Sequence, residues 1–122
     1  MATMKSYSDL QQSKKLAEIL PLESADMYYP IEGASPKFGV ALSISSNIPC
    51  WSLAALLEQL PYEVCDNDGN SLYLEINKED DVYQLAYIDP YGFTENIYPD
   101  MHEHFVDACV AMVEKLKELN LL

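Results

Sequence analysis

A set of apolar residues near the C-terminus recurs with the period of an α-helix. The intervals between them are four, three, four, four and three residues, at Met101, Phe105, Ala108, Met112, Leu116 and Leu119. This spacing puts one apolar stripe along a single helix face, and such a stripe must be buried against other elements. The sequence therefore predicts a long final helix packed on the rest of the chain, with Asp100 after Pro99 as its N-cap.

Two further helices are predicted closer to the N-terminus. The stretch PCWSLAALLEQLP, residues 49–61, has leucines at i, i+3, i+4 and i+7, and its Trp51 widens the apolar face. An earlier helix is predicted to start after Ser8, which would form a capping box with Gln11, and to stop before Pro21.

The middle of the chain has the alternating pattern and the turn residues that are typical of strands. Residues 62–65, 72–77 and 82–88 are predicted as the three strands of a meander, joined by the turns DNDGNS and KEDD. Residues 40–45 are predicted as a separate short strand, and residues 93–98 as either a further short strand or irregular chain.

The register of the second hairpin decides which side chains face the core. If KEDD is a four-residue loop, Asn77 pairs with Val82. One face then carries Leu72, Leu74, Ile76, Tyr83, Leu85 and Tyr87. The opposite face carries Tyr73, Glu75, Val82, Gln84 and Ala86. We favour this register over the alternative, which mixes the two sets, because it produces one dry face and one solvated face.

Together these elements predict an α+β fold. We expect a single domain over residues 1–122, in which an antiparallel meander of three to four strands is packed on one face by two to three helices. A chain of 122 residues buries about two thirds of its unfolded surface, so its core needs neither a disulfide nor a metal.

The charge of the chain excludes several classes of partner. Seven lysines and no arginine stand against 20 acidic residues, which gives a net charge of −13. Nucleic acid binding depends on neutralising phosphates, and a negatively charged membrane surface repels an acidic protein, so neither is expected as a partner. A basic protein surface or a metal ion would be attracted.

The sequence predicts a cytoplasmic protein. No segment approaches the run of about 18 apolar residues that a membrane span needs, and the first residues, MATMKSYSDL, lack the apolar stretch of a signal peptide. The three cysteines, Cys50, Cys65 and Cys109, are odd in number and have no C-x-x-C spacing, so we expect them to be free thiols.

Two short motifs resemble metal sites, but neither provides the full set of ligands that binding requires. A calcium loop has Gly at its sixth position and Glu at its twelfth; counted from Asp66, Gly69 is fourth and Asn77 is twelfth, so DNDGNS is predicted as a hairpin turn. On a helix, Asp100 and His104 at i and i+4 could share an ion, but Asp100 has a capping role and no third ligand is identified. No metal and no cofactor are therefore predicted.

Cys50 is the one candidate nucleophile. At the start of the second predicted helix, the helix dipole would lower the pKa of its thiol. However, the adjacent Trp51 favours a packed site, and no orienting base is near it in the sequence. We therefore predict no catalytic residue, and the residue inventory argues against an enzyme.

The nine tyrosines offer candidate binding residues, since Tyr is enriched at interfaces. Sheet propensity explains most of them, but some are predicted to lie outside the core and could form a surface patch: Tyr28, Tyr29, Tyr73, Tyr91 and Tyr98. A pocket between the second helix and the sheet, around Cys50, Trp51 and Tyr28, is the alternative site.

Three stretches carry a resemblance to a known group of proteins. SKKLAEILPLESADMYY, IPCWSLAALLEQLP and DACVAMVEKL, in this order, resemble segments of small proteins that gut anaerobes encode, often within prophages and mobile elements. The resemblance implies an accessory protein of a mobile element. It implies no activity and no site residues, because none is assigned to that group.

Two functions remain open at this point. The first is a non-enzymatic interaction module that binds a protein partner or a second copy of itself as a homodimer. The second is a small-molecule-binding protein or minor enzyme with a pocket near Trp51. A structural protein of a phage particle is a further possibility that the residues do not exclude.

Overall fold

The computed structural model describes residues 5–31, 33–39 and 47–122. In these residues the chain forms three α-helices and six strands. In chain order they are α1 (Leu10–Leu16), β1 (Met27–Tyr29), β2 (Lys37–Phe38), β3 (Ile48–Cys50), α2 (Leu53–Gln59), β4 (Glu63–Cys65), β5 (Ser71–Glu79), β6 (Val82–Ile88) and α3 (Phe105–Glu118). The strand that we predicted over residues 40–45 lies outside the described residues.

The strands form two antiparallel sheets of three strands each, with the orders β2-β1-β3 and β4-β5-β6. The second sheet confirms the predicted meander. The first sheet was not predicted, because its strands are only two or three residues long and are separated by loop sequence. The α+β fold class of a single small domain is confirmed.

We predicted a helix over residues 49–61, but only part of this stretch is helical. Pro49 and Cys50 belong to β3, and α2 starts only after Ser52, whose side chain accepts a hydrogen bond from the backbone N–H of Ala55. The extended backbone before the helix is held by the N-terminal segment. Ser8 donates its N–H to the carbonyl of Trp51 at 2.8 Å, a partner that local helical periodicity does not reveal.

The predicted register of the β5–β6 hairpin is wrong by two residues. Glu79 pairs with Val82 across a two-residue turn, and Asn77 pairs with Gln84 instead of Val82. Asp80 adopts a φ of 52° in this turn. Since the side-chain period of a strand is two, a slip of two residues leaves each side chain on its predicted face.

Burial on this sheet follows the predicted faces except at two positions. Leu72, Leu85 and Tyr87 lie in the hydrophobic core, as expected for the inner face. Ile76 lies further toward the hairpin turn on the same face and is 45% exposed. Ala86, on the face that we expected to be solvated, is fully buried.

Residues 97–102 run beside β6 without forming a regular strand. Ile97 exchanges two backbone hydrogen bonds with Tyr87, and His102 exchanges two with Tyr83. This segment therefore covers the open edge of β6. Of the two alternatives that the sequence left for residues 93–98, the structure has irregular chain, in which Ile97 forms an isolated bridge with Tyr87.

The caps of the first and last helices differ from the predicted ones. The N-cap of α1 is Asp9, which forms a capping box with Gln12, one residue after the predicted pair. The last helix starts at Phe105 after His104, and not after Asp100. The helix begins later in the chain than predicted because the backbone of His102 is paired with that of Tyr83.

The core lies between the helices and the inner face of the second sheet. α3 supplies the largest share of the buried side chains: Val106, Ala108, Cys109, Val110, Met112, Val113 and Leu116. Leu16 of α1, Leu56 of α2 and Tyr87 of β6 join the same cluster. The apolar stripe of the last helix is thus confirmed from Phe105 to Leu116, whereas Met101 lies before the helix and both Met101 and Leu119 are exposed. No helix among the described residues is long and apolar enough to cross a membrane.

Candidate functional site

The predicted binding residues separate into two groups that lie in different parts of the fold. Tyr29, Cys50 and Trp51 are buried near the N-terminal segment. Tyr28 points to the other side of β1 and is half-buried. Tyr91 and Tyr98 lie in the loop that follows β6 and are exposed.

The buried group is organised around Ser8, which is fully buried. The hydroxyl of Ser8 accepts the backbone N–H of Trp51 at 3.1 Å and lies 2.7 Å from the hydroxyl of Ser13. Its carbonyl accepts the phenol of Tyr29 at 2.8 Å and the thiol of Cys50 at 3.4 Å. This network joins the N-terminal segment, α1 and the first sheet.

The geometry of this network gives Cys50 a structural role. Burial raises the pKa of its thiol, against the opposing effect of hydrogen bonds from Ser8, Ser13 and Tyr29. The thiolate is the reactive form of cysteine, so a raised pKa makes Cys50 a poor nucleophile at neutral pH. Trp51 is also fully buried, and its indole N–H is donated to the hydroxyl of Ser24 at 2.9 Å.

The weak metal candidates are not brought together as a metal centre. Asp100 and His104 both precede α3, so the helical i, i+4 relationship that would align them is absent. Within residues 5–31, 33–39 and 47–122, no three His, Cys, Asp or Glu side chains are grouped so that they could hold a metal ion. The DNDGNS stretch is the turn between β4 and β5, as predicted, with Gly69 at a φ of 83°.

Asp89 organises the loop that follows β6. Its carboxylate accepts the backbone N–H of Tyr91 at 2.8 Å and that of Thr94 at 2.9 Å. Its own N–H is donated to the side-chain oxygen of Asn96 at 2.7 Å. Burial would raise the pKa of the Asp89 carboxyl, but the backbone donors, Tyr91 and Thr94 among them, hold this pKa below its usual range.

The loop presents three aromatic side chains to solvent. Tyr91 is 78% exposed, Phe93 is 76% exposed and Tyr98 is 57% exposed. The rings of Tyr91 and Phe93 stack with their centroids 6.2 Å apart. Asn96 donates to the phenol oxygen of Tyr98 at 3.2 Å, so the residue that bonds to Asp89 also holds the third ring.

The turn between β4 and β5 lies at the same end of the sheet as this loop. Tyr73 pairs with Glu63 on one side and with Ile88 on the other, so the turn and the loop leave the sheet side by side. The side chain of Thr94, together with donors from Asn70 and Asp68, holds the pKa of Asp66 below its usual range.

We name this surface the acidic–aromatic end and define it by Asp66, Asp68, Tyr91, Phe93, Glu95 and Tyr98. The sequence contains no lysine between Lys37 and Lys78 or between Lys78 and Lys115, and it contains no arginine. Neither the turn nor the loop therefore has a lysine or arginine of its own to neutralise these carboxylates.

Two clefts lie away from this end. One, of about 410 Å³, runs between α1 and α3, where Lys5 pairs with Asp107 at 2.6 Å and with Asp9 at 3.2 Å. The other, of about 340 Å³, is lined by Val82 and Met101, among others, near the β5–β6 turn. Trp51 lines neither cleft.

The chain matches no protein-family model, no curated protein and no solved structure.

Sequence reasoning identified Tyr91 and Tyr98 but missed the residues that position them. The sequence Asp-Pro-Tyr-Gly at residues 89–92 indicates a turn, yet two longer hydrogen bonds close the loop: Thr94 donates its N–H to the Asp89 carboxylate across five residues, and Asp89 donates its N–H to the Asn96 side chain across seven. An Asp followed by Asn or Thr at that separation is too common a pattern to be recognised in one sequence. Ser8 was expected to be a helix cap and is instead the centre of the buried network.

Proposed function

We propose that this chain is a non-enzymatic interaction protein that binds a basic surface of a partner protein through its acidic–aromatic end. The observation that carries the proposal is the exposure of Tyr91, Phe93 and Tyr98 on a loop that Asp89 holds in one conformation. Aromatic side chains are the residues that most often dominate binding energy at interfaces.

The organisation of the loop supports binding. Each aromatic side chain can bury roughly 150–250 Å² against a partner. A loop that is already ordered by Asp89 and Asn96 loses little conformational entropy on association, so more of that burial contributes to affinity.

The charge of the protein supports a basic partner. With a net charge of −13, the chain attracts positively charged surfaces at long range, and complementary charge raises the rate of association. The same charge disfavours nucleic acid and anionic membranes as partners. A second copy of the chain would bring like charges together at this end, so we favour a different protein over a homodimer.

The resemblance to proteins of prophages and mobile elements supports an accessory role in which the partner belongs to the host or the phage. We further propose that the protein acts in the cytoplasm, where its three thiols would stay reduced. The alternative of a small-molecule pocket near Trp51 gains no support from the described residues, among which the indole is buried and hydrogen-bonded to Ser24.

A quantitative capture experiment tests the proposal. The full chain is immobilised and exposed to a lysate of the organism that encodes it, and the bound proteins are quantified by mass spectrometry. The test variant is Tyr91→Ser with Phe93→Ser, and the control is Phe38→Ser, which removes a ring that is 80% exposed on β2.

We expect a small set of basic proteins that is retained by the wild type and by the control and lost by the test variant. Equal retention by all three proteins, or recovery of acidic proteins only, would contradict the proposal. Light scattering of the free chain provides the second measurement, since a dimer that the test variant abolishes would show that this end binds a second copy instead.

A further inference from the structure

We propose that the acidic–aromatic end is a recognition site for arginine side chains of the partner. This inference rests on the proposed function and specifies its chemistry. A guanidinium group would stack on the Tyr91–Phe93 pair while it donates hydrogen bonds to the carboxylates of Asp68 or Glu95.

The carboxylates at this end differ in whether they can bind a partner. Asp66 accepts the backbone N–H groups of Asp68 and Asn70, and Asp89 is occupied by its own loop. In contrast, the side chains of Asp68 and Glu95 are exposed and make no hydrogen bond or ion pair with any described residue. They are therefore the acceptors that remain for a cation from outside.

The rings provide the second half of the site. Tyr91 and Phe93 stack on each other at 6.2 Å, and more than three quarters of each side chain is in solvent. A cation within about 6 Å of a ring centroid is attracted by the negative face of the ring. The same contact occurs elsewhere in this protein, where the ammonium of Lys78 lies 5.3 Å from the centroid of Tyr83.

Arginine fits this combination better than lysine. The guanidinium is planar, stacks on aromatic rings, donates two parallel hydrogen bonds to one carboxylate and is weakly hydrated, whereas an ammonium is a compact and strongly hydrated charge. The chain itself contains no arginine, so neither its own side chains nor those of a second copy can fill the site.

The test compares two synthetic peptides of equal length and charge, each with four cationic residues separated by Gly-Ser. One peptide carries arginines and the other carries lysines. Affinities for the full chain are measured by isothermal titration calorimetry at two salt concentrations. We expect the arginine peptide to bind about two- to fivefold more tightly, which corresponds to at most one cation–π contact at an exposed site.

Two double variants separate the aromatic part of the site from its charge. Tyr91→Leu with Phe93→Leu keeps apolar surface but removes the ring faces, so the ratio between the two peptides should fall to about one. Asp68→Asn with Glu95→Gln should weaken both peptides. The matched control is Glu79→Gln with Asp81→Asn, which removes the same charge at the opposite end of the sheet.

The outcomes distinguish this inference from the proposed function. Equal affinity of the two peptides for the wild type, or a ratio that survives in the leucine variant, overturns the arginine site. If Asp68→Asn with Glu95→Gln still weakens both peptides more than its control does, the proposed function stands without the arginine preference. If that variant and its control behave alike, the proposed function fails as well. Binding of neither peptide overturns the arginine site, and the capture experiment then decides the proposed function.

Discussion

The hydroxyl of Ser8 accepts the backbone N–H of Trp51 at 3.1 Å, although 43 residues separate them in the chain. The N–H of Ser8 is in turn donated to the carbonyl of Trp51, so the two residues are joined in both directions. This pairing fixes the N-terminal segment against the chain just before α2.

Ser8→Ala is expected to destabilise the fold by about 1–3 kcal/mol, because the N–H of Trp51 and the hydroxyl of Ser13 would remain buried without this partner. Urea denaturation followed by circular dichroism measures the change. The control is Ser6→Ala, at an exposed position, with an expected change of less than about 0.5 kcal/mol. Equal stability of the two variants would mean that the buried network does not contribute to folding.

Trp51→Ala is expected to lower the free energy of unfolding by about 3–5 kcal/mol, because a fully buried indole leaves a cavity that the surroundings fill only in part. Thermal unfolding measures this loss, or shows the absence of a cooperative transition. Phe38→Ala, at a ring that is 80% exposed, serves as the control and should stay within about 0.5 kcal/mol of the wild type. A cooperative and undiminished transition in Trp51→Ala would contradict the structure.

The free energy of unfolding is expected to fall in acid, and protonation of Asp89 is expected to cause part of this loss. Although burial opposes its charge, the loop N–H groups hold the pKa of Asp89 below the ordinary value of 3.8. A carboxyl with a lowered folded-state pKa stabilises the fold above its unfolded pKa, and this contribution is lost as the pH falls through the folded pKa.

Unfolding curves between about pH 5 and pH 2 test this expectation. Asp89→Asn should be less stable than the wild type at pH 5 and should lose less stability on acidification. The loss that remains comes from carboxyls such as Asp66, whose pKa the hydrogen bond from Thr94 also lowers. The control Asp100→Asn, at an exposed position, should follow the wild-type profile. An unchanged profile in Asp89→Asn would show that the loop does not depend on this charge.

One of the three cysteines is expected to react with a thiol reagent in the folded protein. Cys65 is exposed, whereas Cys50 and Cys109 are buried. Burial raises the pKa of Cys109 to about 12, which removes its thiolate at neutral pH. Titration with a chromogenic disulfide should give one equivalent in buffer and three in denaturant. Cys65→Ser should give none in buffer, and rapid reaction of a second thiol would contradict the burial of Cys50 and Cys109.

The faces of the helices and strands could be predicted from the sequence because they depend on local period. The stripe on α3 and the inner face with Leu72, Leu85 and Tyr87 were recognised correctly. The register between β5 and β6 was predicted wrongly. Pairing Asn77 with Val82 or with Gln84 puts the same side chains on the inner face of the sheet, so the hydrophobic pattern fits both registers. The two-residue turn, in which Asp80 has a positive φ, sets the register.

Two of the three exposed rings of the candidate site, Tyr91 and Tyr98, were among the predicted binding residues, and Phe93 was not. Tyr91 and Tyr98 could be proposed from residue type, but Tyr29 was proposed on the same ground and is buried. Cys50 and Trp51, the candidates for the alternative pocket, are buried as the apolar pattern around them indicated. Residue type does not separate a tyrosine in the core from one on the surface when the strand that carries it is too short to show a period. The role of Asp89 depends on backbone donors from Tyr91 and Thr94 and on an acceptor from Asn96, which only the folded loop places around it.

The sequence by itself determined the class of the fold, the long amphipathic last helix and the excess of negative charge, because periodicity and composition are properties of the chain alone. The tertiary structure decided where each helix begins, how the hairpin is paired and which aromatic residues reach solvent. The starts of α2 and α3 follow hydrogen bonds between backbone groups that are distant in the chain, those of Ser8 with Trp51 and of Tyr83 with His102, and no local pattern specifies such partners.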